Sequence, residues 1–245
     1  MTDAERIAAL QAELAAQRAE MQALMATVSH DLRAPLRHIV SYAQLVQEDA
    51  GPLLNAEVQG FLATMTESAR HMGRLLDGLG ALAQLGTAPI HLAPVALQAL
   101  VAELVAQLSA QHPTRPIEWH IAPDLPTVQA DAALLRQALR HVLDNAIKFT
   151  APRDTAVITI RTVENDAASP STAALQVCDN GVGYNPAQQG ALFQVFGRLH
   201  TARQFEGTGM GLALTAKALQ RMGGTVTSEG VLDGGCCVTL RLPSP

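Results

Sequence analysis

Aromatic residues are scarce in this chain, only 3% of 245 residues, so its core cannot rest on stacked rings and must be aliphatic. Charge is thin as well, 16% against about 25% in an ordinary domain, while hydrophobic residues reach 48%. That balance excludes a disordered chain and a chain that is coiled coil throughout. Basic residues do not predominate: 17 Lys and Arg face 22 Asp and Glu, for a net charge of -5. A broad phosphate-neutralising face for nucleic acid is therefore excluded, and only a small basic pocket remains open. No apolar run approaches the roughly 18 residues that span a bilayer, and Met1-Thr2-Asp3-Ala4-Glu5 lacks the basic-then-apolar layout of a signal peptide. The expectation is a cytoplasmic chain without membrane insertion. Cysteine is limited to Cys178, Cys236 and Cys237, an odd number without C-x-x-C spacing. Neither a disulfide framework nor a zinc site is expected, and all three read as buried or half-buried strand residues.

What the chain does have, first, is a heptad stripe. Ile7, Leu14, Met21 and Val28 occupy a, and Leu10, Gln17 and Leu24 occupy d, which predicts a coiled-coil helix over residues 1–28 or one amphipathic helix on a core. Beyond Val28 the spacing lengthens through Leu32 and Leu36, a stutter that unwinds a left-handed supercoil. Pro35 in the same turn removes the amide that would bond the Asp31 carbonyl, so a bend or weak point is expected beside His30. Gly51-Pro52 breaks the chain, and a second helical pattern runs from Val58 to Gly86. Residues 20–86 thus read as a helical hairpin suited to a dimeric four-helix bundle.

Residues 87–94, with Pro89 and Pro94, read as a linker, and residues 95–245 as an α/β sandwich with a mixed sheet. Helices are expected at 95–111, 131–148 and 211–222, and strands at 117–121, 156–163, 173–179, 224–229 and 236–242. Hairpin turns are expected at 165–171 and 232–235.

Four constellations carry chemistry. Ser29-His30-Asp31-Leu32-Arg33-Ala34-Pro35 pairs an imidazole with a carboxylate that can hold one ring nitrogen; taken alone, an exposed pair of this kind on a helix is usually plain solvated surface. In the helix around 131–148, His141, Asn145 and Lys148 share one face beside an apolar face of Leu135, Leu139, Val142 and Ala146. A neutral oxygen ligand next to a cation suits Mg²⁺ with phosphate, and an ordinary polar helix side is the competing reading. Asp179 closes an apolar strand before Asn180-Gly181-Val182-Gly183, where a carboxylate can accept the adenine amine and the glycines let the backbone approach. A hairpin turn competes; a calcium loop does not, because the alternating carboxylates and closing Glu are missing. Gly207-Thr208-Gly209-Met210-Gly211-Leu212 places amides at a helix start as an anion cradle, but fits neither the dinucleotide fingerprint nor the P-loop.

Taken together, the order and spacing of these motifs resemble a sensor histidine kinase of two-component systems, in wording closest to the kinase modules of phytochrome and PAS sensors. The H box surrounds His30, the N box ends in Asn145 and Lys148, the D-x-G-x-G box starts at Asp179, the F box is Leu192-Phe193-Gln194-Val195-Phe196, and a second glycine box spans 207–211. The resemblance implies a dimerising, phosphoryl-accepting hairpin followed by an ATP-binding domain of the Bergerat fold. It implies that His30 takes the γ-phosphoryl group of ATP while Asp31 orients the ring, that Asn145 ligates Mg²⁺, and that Lys148 contacts phosphate. Asp179, with Gly181 and Gly183, would read adenine. Residues 184–206 would form a lid anchored by Phe193 and Phe196, and Gly207, Thr208, Gly209, Gly211 and Leu212 would close over the triphosphate. His141 and Arg198 are further candidates. The implied partners are a second copy, a response-regulator receiver whose aspartate takes the phosphoryl group, and an upstream sensor domain or sensor protein acting through residues 1–28.

Three departures qualify the resemblance. His141 stands where these kinases commonly carry Asn and where the ATP-hydrolysing gyrase and heat-shock relatives carry a Glu base, so transfer to His30 rather than rapid hydrolysis is expected. Ala34 stands where phosphatase-active members hold a water with Thr or Asn, which implies weak phosphatase activity, measurable as loss of phosphate from a phosphorylated regulator with ADP present. Asp233-Gly234-Gly235-Cys236-Cys237 is a degenerate last glycine box, expected to alter packing more than catalysis. Rival readings are a catalytically weak dimeric adaptor and an ATP-driven clamp.

Overall fold

The computed structural model describes residues 2–163, 172–201 and 204–245, the Arg18 side chain excepted. The chain divides into two compact units, Met1–Ala88 and Pro89–Pro245.

The first unit is a helical hairpin. Helix α1 spans Asp3–Ala50 and helix α2 spans Ala56–Thr87, joined by a 3₁₀ turn at Gly51–Leu53. A capping box opens α1: the Glu5 amide donates to the Thr2 hydroxyl and the Thr2 amide donates to the Glu5 carboxylate at 2.6 Å. Asn55 caps α2 by accepting from the Val58 amide at 2.9 Å. Pro35 does not end α1; helix continues on both sides, since one missing donor is outweighed by the turns around it and by packing on α2. Ser29, Ala43, Ala69, Leu76, Ala83 and Leu85 are buried between the helices. The heptad residues Ile7, Leu10, Leu14, Met21, Leu24 and Val28 remain exposed, as do Phe61, Met65 and Met72 on α2.

The second unit is built on a five-stranded mixed sheet. Strand β1 is Ala93–Ala96, followed by α3 (Leu97–Gln111), β2 (Ile117–Ile121), β3 (Thr127–Ala130), α4 (Ala132–Phe149), β4 (Ala156–Val163), β5 (Thr172–Asp179), α5 (Gly211–Arg221), β6 (Thr225–Val231) and β7 (Gly235–Pro243). Sheet order is β2-β4-β5-β7-β6, with β2 and β4 parallel and the other neighbours antiparallel; β1 and β3 form a separate antiparallel pair. That pair is not expected from the sequence because four-residue strands with a proline show no alternation long enough to read. The helices bury Leu97, Leu104, Leu135, Leu139, Leu143 and Leu219 with Ile158, Ile160, Leu175 and Leu240 on one sheet face, an aliphatic core as the lack of aromatics demands. The β6–β7 turn lies at the expected place, with Asp233 at φ 59°. The turn expected at 165–171 lies outside the described residues.

One expectation is corrected. Cys178 and Cys237 are joined in a disulfide across β5 and β7, leaving Cys236 as the free thiol. The two are direct cross-strand partners although 59 residues apart, so only the register of the sheet, which no Cys spacing reveals, brings them together. All three cysteines are half-buried strand residues, as read.

Candidate functional site

In the hairpin, Ser29 is buried and His30, one residue on, is exposed, because successive helical residues turn by about 100°. Gly80 on α2 faces this turn: a Cβ there would lie 3.3 Å from the Arg33 guanidinium and 3.9 Å from the Ser29 Cβ. Arg33 donates to Asp77 at 3.0 Å, fixing the same turn to α2. His30 Nδ1 lies 3.1 Å from the Asp31 carboxylate. A carboxylate oxygen accepts in such a pair, so the hydrogen sits on Nδ1 and the Nε2 lone pair points away from it.

In the α/β unit the sequence candidates converge around the C-terminal half of α4. Asp131 caps this helix, accepting from the amides of Ala133 and Leu134, both at 3.1 Å. Its buried stripe, Leu135, Leu139, Val142, Leu143 and Ala146, orients the helix so that His141, Asn145 and Lys148 sit half-buried. The Asn145 amide has no hydrogen-bond partner among the described residues. Burial lowers the Lys148 pKa, and the nearby Arg198 charge lowers it further. A Cβ on Gly207, whose φ is 146°, would lie 3.3 Å from Lys148 Nζ. Arg198 donates to the carbonyls of Gly207 and Phe205, each at 2.7 Å, so a second cation fixes the start of the glycine box. Gly209 has φ 71°, and Gly211 begins α5 against the His141 ring, 3.2 Å from a Cβ position to Nδ1. Thr208 accepts from the Met210 amide at 3.4 Å, while Leu212 is half-buried in the first turn of α5. Burial also lowers the His141 pKa, which keeps the ring neutral at pH 7.

Asp179 ends β5 with its carboxylate accepting from the Gly181 amide at 2.8 Å. Burial pushes its pKa up to about 6, against the lowering effect of the Gly181 and Cys236 amides. Gly181 is required by close approach, since a Cβ would sit 2.6 Å from the Phe149 carbonyl oxygen. Gly183, at φ 57°, would drive a Cβ into the Val231 carbonyl. The last glycine box packs at the end of the same strand: a Cβ on Gly235 would run into the Asp179 carbonyl.

The described part of the 184–206 segment also makes aromatic contacts that the sequence does not suggest. Phe193 is half-buried, and Phe196 is exposed with φ 62°. Phe149, His200 and Phe205 pack ring against ring at centroid distances of 5.1 to 5.4 Å, and Lys148 Nζ lies 4.4 Å from the Phe149 centroid. His200 Nε2 lies 2.9 Å from the Gly183 carbonyl, and the Tyr184 hydroxyl donates to Ser228 at 3.0 Å. Arg153 is a further organiser, donating to the carbonyls of Asn180, Gly181 and Asp233 at 2.8, 3.0 and 2.6 Å. A lone Arg after a helix gives no signal in sequence; the odd aromatics around an N box and a glycine box are the only hint of the ring cluster.

Residues 20–88 match the family model of the His Kinase A (phospho-acceptor) domain, and residues 130–245 match that of the histidine kinase-, DNA gyrase B- and HSP90-like ATPase. The chain belongs to the sensor histidine kinases. It is 30% identical over 233 residues to the methanogenesis regulatory histidine kinase FilI of Methanothrix harundinacea, covering 95% of this chain and 26% of that protein. It is 32% identical over 230 residues to the circadian input-output histidine kinase CikA of Synechococcus elongatus, covering 89% of this chain and 29% of that protein. Among solved structures, full-length ShkA in complex with AMPPNP aligns with a TM-score of 0.63 at 29% identity, over 90% of this chain and 45% of that one. The chain therefore spans about a quarter to a third of the length of these curated kinases. It carries a kinase phospho-acceptor module and an ATP-binding module, and no described helix is long and apolar enough to cross a membrane.

Proposed function

We propose that the chain phosphorylates His30 from ATP and passes the phosphoryl group to an aspartate of a response-regulator receiver. The observation that carries this reading is the His30–Asp31 pair at 3.1 Å, exposed on the phospho-acceptor hairpin with Nε2 unencumbered. Attack by Nε2 on the γ-phosphorus forms the N–P bond as the bond to the ADP oxygen breaks, and Asp31 stabilises the positive charge gained by the ring.

On the α/β unit, Asp179 accepts the adenine amine, Gly181 and Gly183 admit the base, and Lys148 offsets phosphate charge. Gly207, Thr208, Gly209, Gly211 and Leu212 frame the triphosphate with backbone donors, and Arg198 holds that frame from behind. Asn145 suits Mg²⁺, because its amide has no partner among the described residues and lies one helical turn from Lys148, a donor set that needs phosphate oxygens to complete it. Bound there, the ion supplies charge neutralisation at the phosphates. Neutral His141, against the first turn of α5, donates a hydrogen bond toward the γ-phosphate end. The apolar stripe of Leu10, Leu14, Leu24 and Val28, continued on α2 by Phe61, Met65 and Met72, supports a homodimer.

Incubation with γ-labelled ATP and Mg²⁺ tests the reading: wild type takes up acid-labile label and His30→Gln takes up none. Label retained in the variant, or absent from folded, ATP-binding wild type, overturns it.

A further inference from the structure

We propose that Cys178 and Cys237 are a reversible dithiol–disulfide modification site that sets how tightly this chain binds ATP, with a dithiol, small or protein-borne, as the reductant. The inference rests on Asp179 reading adenine.

Cys178 immediately precedes Asp179, and Cys237 immediately follows Cys236, so the disulfide and the Asp179–Cys236 pair are successive rungs of the β5–β7 ladder. Side chains alternate along a strand, which puts the disulfide on the sheet face opposite Asp179. That outer face is polar: Thr159 pairs with Cys178, Glu229 pairs with Cys237, and Gln176 donates to Thr239 on the next rung at 3.1 Å. Both cysteines are half-buried there, within reach of a reductant.

On the inner face, the consequences of strand register fall directly on Asp179. The Cys236 amide stabilises its carboxylate, and Gly235 abuts its carbonyl without room for a Cβ. A covalent tie one rung away fixes β7 against β5 at the point where the base is read. Without it, the rung is held by ladder hydrogen bonds alone, and Asp179, Gly235 and the Cys236 amide gain freedom that binding must remove.

The chemistry balances with an external dithiol. One of its thiolates attacks Cys178 or Cys237, breaking the S–S bond and forming a mixed disulfide; its second thiolate then displaces the protein sulfur. Two electrons pass to the protein, which ends with two thiols, and the reductant ends as a disulfide. Glutathione disulfide reverses the exchange. Cys236 does not serve as the resolving thiol, because its sulfur lies 3.2 Å from the Ser228 hydroxyl on the inner face and burial pushes its pKa up to about 11.

The test uses the full chain equilibrated in glutathione disulfide or in dithiothreitol. Thiol titration after denaturation should find one thiol in the oxidised form, Cys236, and three in the reduced form. Calorimetric titration with Mg-ATP should give a Kd about fivefold or more weaker for the reduced form. Cys178→Ser and Cys237→Ser should bind like reduced wild type and no longer respond to dithiothreitol. Three thiols in the oxidised sample, or equal Kd in both forms, overturns the switch alone. Failure of both forms to bind ATP overturns the switch together with the reading of Asp179.

Discussion

Asp179 is the residue whose environment speaks most directly to function. A carboxyl held at about 6 keeps its proton when folded in a pH range where the unfolded chain, at an ordinary 3.8, has already released it. Stability therefore falls as pH rises from about 4 to about 6 and levels off above, by about 3 kcal/mol for a shift of this size. Asp179→Asn removes that dependence, so its unfolding free energy relative to wild type should rise by about 3 kcal/mol between pH 4 and 7 in urea titrations. A constant difference across that range would falsify the burial argument. ATP affinity of wild type should drop below pH 6, where the acceptor is protonated. His141 makes a different case: its ring is legible in sequence as a departure, but its contact with the start of α5 is not. His141→Ala should slow His30 phosphorylation about tenfold while nucleotide affinity changes little, the size of one lost hydrogen bond to a charged group. Unchanged phosphorylation and ATPase rates would remove His141 from the site.

Among the elements, α1 and α4 show how sequence periodicity translates into position. The apolar stripe of α4 was readable, and burying it leaves His141, Asn145 and Lys148 on the remaining face. In α1 the stripe was equally readable, yet Pro35 left the helix intact because a long helix packed on α2 absorbs one lost bond. An interior proline costs a helix about 3 kcal/mol, so Pro35→Ala should stabilise the hairpin unit, by up to that amount in thermal or urea unfolding. If the weak point beside His30 transmits input, the same variant should also shift the phosphorylation rate away from wild type, high or low. No gain in stability would show that the proline is already accommodated, and an unaltered rate would count against transmission through this turn. The short strands β1 and β3 and the 3₁₀ turn at Pro186–Ala191 escaped the sequence reading, since elements this brief are made by their neighbours rather than by their own pattern.

At the scale of the whole molecule, the hairpin exposes Ile7, Leu10, Leu14, Met21, Leu24 and Val28 on α1 with Phe61, Met65 and Met72 on α2, the apolar surface that the proposed second copy would cover. Light scattering should report a dimer at micromolar concentration, and Met65→Glu with Met72→Glu should yield a monomer of unchanged helicity. A monomeric wild type would remove the second copy from the reading. The sequence by itself determined the two textures of the chain, the four motifs and their order, because helical and strand periods and glycine-rich turns are local and written in adjacent residues. Only the tertiary structure decided that Cys178 meets Cys237, that Gly235 and the Cys236 amide press on Asp179, and that Phe205 and His200 rather than Phe196 pack on Phe149. Those contacts join residues far apart in the chain, and strand register and burial, which are properties of the assembled sheet, are what select them.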